Sequence, residues 1–230
     1  MIGVIVNVIT VIIGSCAGLI FKKGIPQKVS SAAMTGLGAC VLYIGISGSL
    51  CGENVLILIA SIVLGVITGT LLNIDGAVTK LAEKAEAKFQ KNDHKISIAE
   101  GLVTATLLFC VGSMTVTGSI QAGLTGDNTL LFTKATLDLV SSAMLASTLG
   151  IGVLLSAAAV FVIQGALVLM AGLLAPIMST GAINEMTCAG SILIMIIGTN
   201  MMGMTKIKVA DFLPAIVYAP IIYNLTVLLK

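Results

Sequence analysis

Hydrophobic residues fill long runs of this chain, and short polar stretches separate one run from the next. A transmembrane helix needs about 20 predominantly apolar residues to cross roughly 30 Å of hydrocarbon. Eight runs are of this kind and predict eight spans: Ile2–Phe21, Ser30–Leu50, Val55–Ile74, Ile96–Thr117, Thr129–Thr148, Ile151–Leu174, Ile183–Met202 and Val209–Leu229. The expected fold class is therefore all-α, a polytopic integral membrane protein with one membrane domain over residues 1–230.

The composition agrees with a protein that lies in the lipid bilayer. Mean hydropathy is +1.13, and charged residues make up only 10% of the chain. The longest polar stretch, residues 75–95, carries apolar residues at helical spacing, which predicts a cytoplasmic amphipathic linker helix. A solvated helix that only joins the two halves is the alternative. A formal net charge of +2, without a basic aromatic patch, gives no reason to expect a nucleic-acid partner.

Lysines are distributed unevenly among the predicted connections. They follow spans one, three and seven, and alternating spans bring these three connections to one face: Lys22, Lys23, Lys28, Lys80, Lys84, Lys88, Lys91, Lys95, Lys206 and Lys208. Because positively charged connections stay on the cytoplasmic side, this face is predicted to be cytoplasmic and both termini to be outside.

Two parts of the chain resemble each other. Met34-Thr35 and Gly38 in span two match Met186-Thr187 and Gly190 in span seven. The pattern predicts a first repeat over residues 1–74 and a second over residues 149–230, flanking central helices at 96–148. With the orientation above, span one runs inward and span six outward. The two repeats are therefore expected to be inverted.

Lys134 and Asp138 are the most informative polar residues, because both lie inside the fifth apolar run. Each ionisable side chain at the bilayer centre opposes insertion by roughly 2.5–3.5 kcal/mol. Positions i and i+4 share a helix face, so the two side chains can touch. Asp138 is expected near the midplane, with the Ser142 hydroxyl close by. A substrate or proton site is the favoured interpretation, and an ion pair that only fixes packing is the alternative.

Other polar residues inside spans are second-rank candidates for a site. Ser113 and Asn200 follow glycines in Gly112-Ser113 and Gly198-Thr199-Asn200, as small polar residues also follow Gly45 in span two. Such segments predict either helix breaks that line a site or close helix packing. Gln164 in span six needs a hydrogen-bond partner at that depth.

Several classes of function have no residue set to support them. The chain carries no nucleophile elbow, no HExxH, no phosphate-binding loop and no dinucleotide fingerprint, so no enzyme and no cofactor are expected. The five cysteines are scattered, which disfavours a metal site. The GxxxG pairs Gly14/Gly18 and Gly65/Gly69 favour close helix contacts, within the chain or in a homodimer.

The centre of the chain resembles a known bacterial family. The resemblance rests on these segments: Phe109-Cys110-Val111-Gly112-Ser113-Met114, Gly118-Ser119-Ile120-Gln121, Gly123-Leu124-Thr125-Gly126-Asp127, Lys134 with Leu137-Asp138, Ala146–Val153 and Gln164-Gly165. They are similar to the multi-spanning membrane family known as domain of unknown function 554. The resemblance implies a bacterial cytoplasmic membrane location but no substrate. Its matching polar positions are Gln121, Asp127, Lys134, Asp138 and Gln164.

These patterns favour a small-solute secondary transporter, coupled to protons or another ion through Asp138. Its partners would be a small-molecule or ion substrate and the lipid bilayer. The alternatives are a membrane assembly protein that transports nothing and a gated ion channel. A polar cavity that reaches Asp138 would favour transport, whereas a dry, sealed ion pair would favour the assembly protein.

Overall fold

The structure, a computed structural model, describes residues 1–22, 27–80 and 98–229. Its elements are helices: α1 (Ile2–Lys22), α2 (Gln27–Ser49), α3 (Val55–Leu71), α4 (Ile74–Lys80), α5 (Ile98–Cys110), α6 (Ser113–Thr125), α7 (Thr129–Leu149), α8 (Ile151–Leu169), α9 (Ala171–Leu174), α10 (Thr180–Met201) and α11 (Ala215–Leu228), with a 3-10 helix at Val209–Phe212. The all-α prediction is confirmed. Most of the predicted linker helix, residues 81–95, lies outside the described residues.

The number of spans agrees with the pattern of apolar runs. Six helical segments are long and apolar enough to cross a membrane alone, and two bent helix pairs raise the count to eight if each pair is one span. The pairs are α3 with α4, bent by 55°, and α5 with α6, bent by 59°. Span four was predicted over Ile96–Thr117, with a helix break at Gly112-Ser113 as one of two alternatives; the first helix ends at Cys110, and the second extends to Thr125, beyond the predicted end of the span.

Local chemistry accounts for several helix ends. Asn54 is the N-cap of α3, where its side chain accepts a hydrogen bond from the Leu56 backbone N–H. Ser179 is the N-cap of α10, where its side chain accepts from the Ala182 backbone N–H. Helix α6 ends at Gly126, whose φ of 75° is left-handed. A single residue, Gly150, joins α7 to α8 at a φ of 80°. The connection between spans five and six is therefore a tight turn.

The helices pack in a few close pairs. Helix α1 packs mainly on α7 and also on α8, α2 packs on α10, and α3 packs on α11. The pairs α1/α8, α2/α10 and α3/α11 join helices that are equivalent in the two predicted repeats. The inverted repeat itself stays a prediction.

Both GxxxG pairs are used inside the chain. A Cβ atom on Gly14 would overlap the Leu139 carbonyl of α7, and one on Gly65 would lie 2.6 Å from the Ala215 nitrogen of α11. Small residues of this kind let backbones approach closely. These pairs therefore give no separate support to the predicted homodimer, which stays a prediction.

Candidate polar site within the membrane

Lys134 and Asp138 form an ion pair on α7, as their spacing predicts. Lys134 Nζ lies 2.6 Å from Asp138 Oδ2, and the two residues are 6% and 5% exposed. At 1.5 Å per residue, Lys134 is about 8 Å and Asp138 about 14 Å along the axis from Thr129, where α7 begins. The pair therefore occupies the half of the helix nearer to the turn between α6 and α7.

Two buried amides from other helices extend the pair into a network. Asn7 Nδ2 on α1 donates to Asp138 Oδ2 at 3.0 Å and to Gln164 Oε1 on α8 at 3.2 Å. Asn7 and Gln164 are both 0% exposed. Asn7 is thus the hydrogen-bond partner that was expected for a glutamine inside a membrane span. Asn7 did not figure among the predicted site residues, although a polar residue in an apolar first span was a signal for it.

Two amide atoms of this network have no partner among the described residues. They are Asn7 Oδ1, a hydrogen-bond acceptor, and Gln164 Nε2, a donor. Leaving a buried polar atom unsatisfied costs about 1–3 kcal/mol, so most such atoms have a partner in folded proteins. The network therefore has one acceptor and one donor available for a further polar group.

Helix α5 contributes the aromatic side of the site. The Phe109 ring lies 5.8 Å from Lys134 Nζ, within range of a cation–π interaction. The helix breaks three residues later, at Gly112, and the Thr115 hydroxyl donates to the Phe109 carbonyl at 2.9 Å. Of the two alternatives for Gly112-Ser113, a helix break or close packing, the break is the correct one. The Thr115 hydroxyl satisfies a carbonyl that lies beside the site.

An apolar layer separates the network from the turn between α6 and α7. Val4, Leu131 and Val168 each lie about one helical turn from Asn7, Lys134 and Gln164 respectively. In each of these helices, the apolar residue lies on the side of its polar neighbour that is nearer to the connection between α6 and α7. Together with Ala122 of α6 they form one buried cluster, which we call the apolar layer: Val4, Ala122, Leu131 and Val168. The main hydrophobic core, which includes Val11, Leu145 and Val160, lies on the opposite side of the network. On the shorter path between the network and the membrane surface, which ends at the turn between α6 and α7, one layer of side chains therefore closes the site.

One predicted site residue lies near the network without joining it. Ser142 is buried one turn beyond Asp138, where its hydroxyl donates to the Leu139 carbonyl at 3.0 Å and packs against Gly14. Ser113 is the first residue of α6, directly after the break.

Gln121 and Asp127 form a separate, exposed cluster. Gln121 Nε2 donates to Asp127 Oδ2 at 2.8 Å, and Asp127 Oδ1 accepts from the Thr129 hydroxyl at 2.6 Å and its backbone N–H at 2.9 Å. The bond from the Thr129 hydroxyl, followed by the Thr129 backbone N–H, lowers the pKa of Asp127. These two residues shape the start of α7 and do not reach Asp138.

Asn200 lies at the other end of the molecule. Its Oδ1 accepts from the Thr205 hydroxyl at 2.6 Å and the Ile207 backbone N–H at 3.0 Å, while Nδ2 donates to the Ile207 carbonyl at 2.8 Å. Helix α10 is continuous through Gly198, whose backbone packs against Gly38 of α2. Neither Gly198 nor Gly45 breaks its helix, so close packing is the correct interpretation at both places.

A cavity of about 450 Å³ opens at this lysine-bearing end. Its lining includes Asp75, Glu100, Asn200, Lys206 and Lys208, and neither Lys134 nor Asp138 lines it. Lys208 Nζ and Asp75 Oδ2, both in the cavity lining, are 3.9 Å apart. The predicted residue Asn200 therefore belongs to this cavity and not to the network.

Two further buried carboxylates hold helix starts in place. Glu185 Oε1 accepts from the backbone N–H groups of Glu53 and Asn54, both at 2.8 Å, and Asp211 Oδ1 accepts from the Asp75 N–H at 2.9 Å. These contacts give both acids a structural role. Within the described ranges, His, Cys, Asp and Glu side chains form no group of three or more that could hold a metal ion.

Comparison with known proteins identifies the family. The family model described as "Protein of unknown function (DUF554)" matches residues 2–224. The chain belongs to this family. It is 35% identical over 226 residues to "Uncharacterized membrane protein YdfK" of Bacillus subtilis (strain 168), covering 96% of this chain and 95% of that protein.

A more distant relative covers nearly the same length. "Uncharacterized protein YqgA" of Escherichia coli (strain K12) is 25% identical over 222 residues, 95% of this chain and 94% of that protein. No solved structure matches. The family and the apolar helices together establish a membrane protein, and its activity has to be argued from the polar site.

Proposed function

We propose that this membrane protein is a secondary transporter of a small solute, coupled to protons or another ion at the Asp138 network. The observation that carries the proposal is a buried ion pair joined to two amides, of which one acceptor and one donor atom are unpartnered among the described residues. Ionisable residues within membrane spans usually mark a path for ions or substrates. A packing role alone does not require the two open hydrogen-bonding positions.

Two features of the surrounding helices support the same proposal. The break at Gly112 lies beside the Phe109 contact, and discontinuous helices commonly line transporter sites. The apolar layer is a single cluster of four buried side chains from α1, α6, α7 and α8, so a rearrangement of these four helix segments is the movement that a path to the network requires. We expect the access to alternate between this path and one from the lysine-bearing end.

A structural role for the ion pair is the second candidate, and one observation favours it. Lys134 and Asp138 are almost fully buried and the 450 Å³ cavity does not include them, which is the sealed arrangement expected of an assembly protein. In this alternative the pair only joins α7 to α1 and α8. A protein with this role holds other membrane components together and moves no solute.

Solute-driven proton movement in membrane vesicles tests the proposal. Everted vesicles that contain the protein are energised, and small amino acids, carboxylates and organic cations are added in turn while a fluorescent dye reports the pH gradient. A solute that dissipates the gradient with the wild type, but not with Asp138→Asn, supports transport. Glu53→Gln is the matched control, because Glu53 is an exposed carboxylate far from the network. Equal responses of wild type and Asp138→Asn to every solute would count against transport.

A further inference from the structure

The Lys134 head group lies in a site with the chemistry of a receptor for organic cations. The Asp138 carboxylate lies 2.6 Å and the centre of the Phe109 ring 5.8 Å from its ammonium group. The Asn7 amide donates to the same carboxylate oxygen and to Gln164. A carboxylate gives a charge-assisted hydrogen bond, and an aromatic face attracts a cation. The unpartnered Asn7 Oδ1 is one more acceptor for an N–H donor. The side chain of Lys134 is thus a tethered occupant of a cation site.

Electroneutrality restricts what can replace this occupant. Lys134 and Asp138 carry opposite charges, so the buried pair is neutral as a whole. A second cation added to the intact pair would leave a net positive charge in the membrane interior. Loss of the Lys134 proton alone would leave a net negative charge. Either state is strongly unfavourable in a medium of low polarity, so both changes must occur together.

We infer that the substrate is a small organic cation with N–H donors, an alkylammonium or guanidinium ion, exchanged one for one against a proton of Lys134. This inference rests on the proposed transport function. The Lys134 ammonium releases H⁺ and becomes a neutral amine, while the incoming cation takes its hydrogen bond to the Asp138 carboxylate. One positive charge enters the site and one leaves it. The reverse step returns the proton and releases the cation, so each exchange is electrically neutral.

The groups that face Lys134 are consistent with its role as the proton carrier. From α5, the Cys110 thiol is buried close to Lys134 and Asp138. Helices α1 and α8 present the amides of Asn7 and Gln164, which do not titrate in the physiological range. Helix α6 contains no titratable side chain, and the titratable residues Cys40 and Tyr43 of α2 are exposed. Lys134 and Asp138 are thus the charged pair to which proton exchange is assigned.

Proteoliposomes with a trapped pH dye test the exchange directly. Guanidinium is the probe, because its permanent charge prevents it from crossing the bilayer as a neutral base. An inward guanidinium gradient should make the lumen of wild-type liposomes more alkaline, at a rate that a clamped membrane potential does not change. With Asp138→Asn the rate should fall to that of empty liposomes. Guanidinium uptake without a change of internal pH would overturn the proton exchange.

Chemical rescue tests the cation site without any flux measurement. Lys134→Ala removes the tethered ammonium, and n-propylammonium should raise the melting temperature of this variant in detergent, whereas sodium should not. Lys206→Ala, which alters an exposed lysine, should show no such rise. Absence of rescue, or equal rescue by sodium, would contradict an organic-cation site.

The outcomes separate this inference from the proposed function. Asp138-dependent movement of an uncharged or anionic solute in vesicles, together with no guanidinium flux and no rescue, would overturn the substrate class and leave transport standing. A fully active protein in which apolar residues replace both Lys134 and Asp138 would overturn both proposals.

Discussion

At the scale of single residues, the Asp138 carboxylate is the point at which three helices meet. It accepts hydrogen bonds from Lys134 on its own helix and from Asn7 on α1, and Asn7 in turn reaches Gln164 on α8. The contacts are linked, because Asn7 bonds both Asp138 and Gln164, and Lys134 and Asn7 bond the same Asp138 oxygen. Changes at single members should therefore have larger effects than changes that remove the charges as a pair.

The first prediction compares single and paired removal of the charges. Asp138→Asn should lower the free energy of unfolding by about 3–5 kcal/mol, because it leaves Lys134 charged and buried without its counterion. The double variant Lys134→Met with Asp138→Leu should be close to the wild type or more stable. Thermal unfolding in detergent measures both. If the protein is a transporter, the double variant is stable and inactive, whereas a purely structural pair predicts a stable and fully active one.

The second prediction concerns Asn7. Asn7→Leu should destabilise the protein by about 1–3 kcal/mol, because Gln164 loses its partner and Asp138 loses a donor. The paired change Asn7→Leu with Gln164→Leu removes both amides and should recover part of that loss. A single variant as stable as the wild type would mean that the amides are not coupled in the membrane.

Sequence spacing predicts some of these contacts and not others, for a physical reason. The contact between Lys134 and Asp138 follows from i,i+4 geometry on one helix. The contact of Asn7 with Asp138 joins positions 131 residues apart and depends on how α1 is rotated against α7. Gln121, Asp127 and Asn200 are polar residues near helix ends, where caps and loops use their hydrogen bonds. Sequence alone did not separate those roles from a buried site.

At the scale of helices, the three glycine-rich segments have different structures because their surroundings differ. Gly112 has open space beside it, and the helix there is interrupted. At Gly45 and Gly198 the helices are continuous, and the backbone of a neighbouring helix lies within 3 Å of where a Cβ would be. Glycine at these two positions therefore allows close packing. Composition alone did not distinguish a break from a close contact, because glycine permits both.

The third prediction tests the close packing of α1 on α7. Gly14→Ala should destabilise the protein by about 1–3 kcal/mol, since the new Cβ overlaps the Leu139 carbonyl of the neighbouring helix. Gly36→Ala on α2 is the control, because nothing lies within 4 Å of its Cβ position. It should be neutral or stabilising by about 0.5–1 kcal/mol, as alanine favours a helix over glycine. Equal effects at both positions would contradict the packing of α1 on α7.

The fourth prediction concerns the helix break beside the site. Thr115→Val keeps the shape of the side chain but removes the hydroxyl that bonds the buried Phe109 carbonyl. We expect a loss of about 1–3 kcal/mol in unfolding free energy, because the carbonyl is left without this partner. Thr117→Val, at an exposed position of the same helix, is the matched control and should have little effect. Similar melting temperatures for both variants would argue against this support of the break.

At the scale of the whole molecule, the apolar runs predict the number of spans better than their shapes. A hydrophobic segment of about 20 residues matches the thickness of the bilayer, and this match alone predicts a membrane-spanning helix. The structure has six such helices, or eight if each bent pair counts as one span. The bends between α3 and α4 and between α5 and α6 depend on neighbouring helices that satisfy the freed backbone groups. Hydropathy carries no information about that support, so it did not predict the extent of α6.

The last prediction concerns orientation, which decides the compartment that the apolar layer faces. The lysine asymmetry predicts that Lys206 lies in the cytoplasm and that Asp127, at the turn next to the apolar layer, lies outside. Both positions are exposed, so single cysteines introduced there into a cysteine-free variant are accessible to reagents.

A membrane-impermeant maleimide should label position 127 in intact cells, and position 206 only after the cells are permeabilised. Labelling of position 206 in intact cells, with position 127 protected, would reverse the orientation. The network would then lie nearer to the cytoplasm, because it occupies the half of α7 that adjoins the turn. Equal labelling at both positions in intact cells would mean that the lysine-bearing connections do not share one face. That result would remove the topological basis of the inverted repeat.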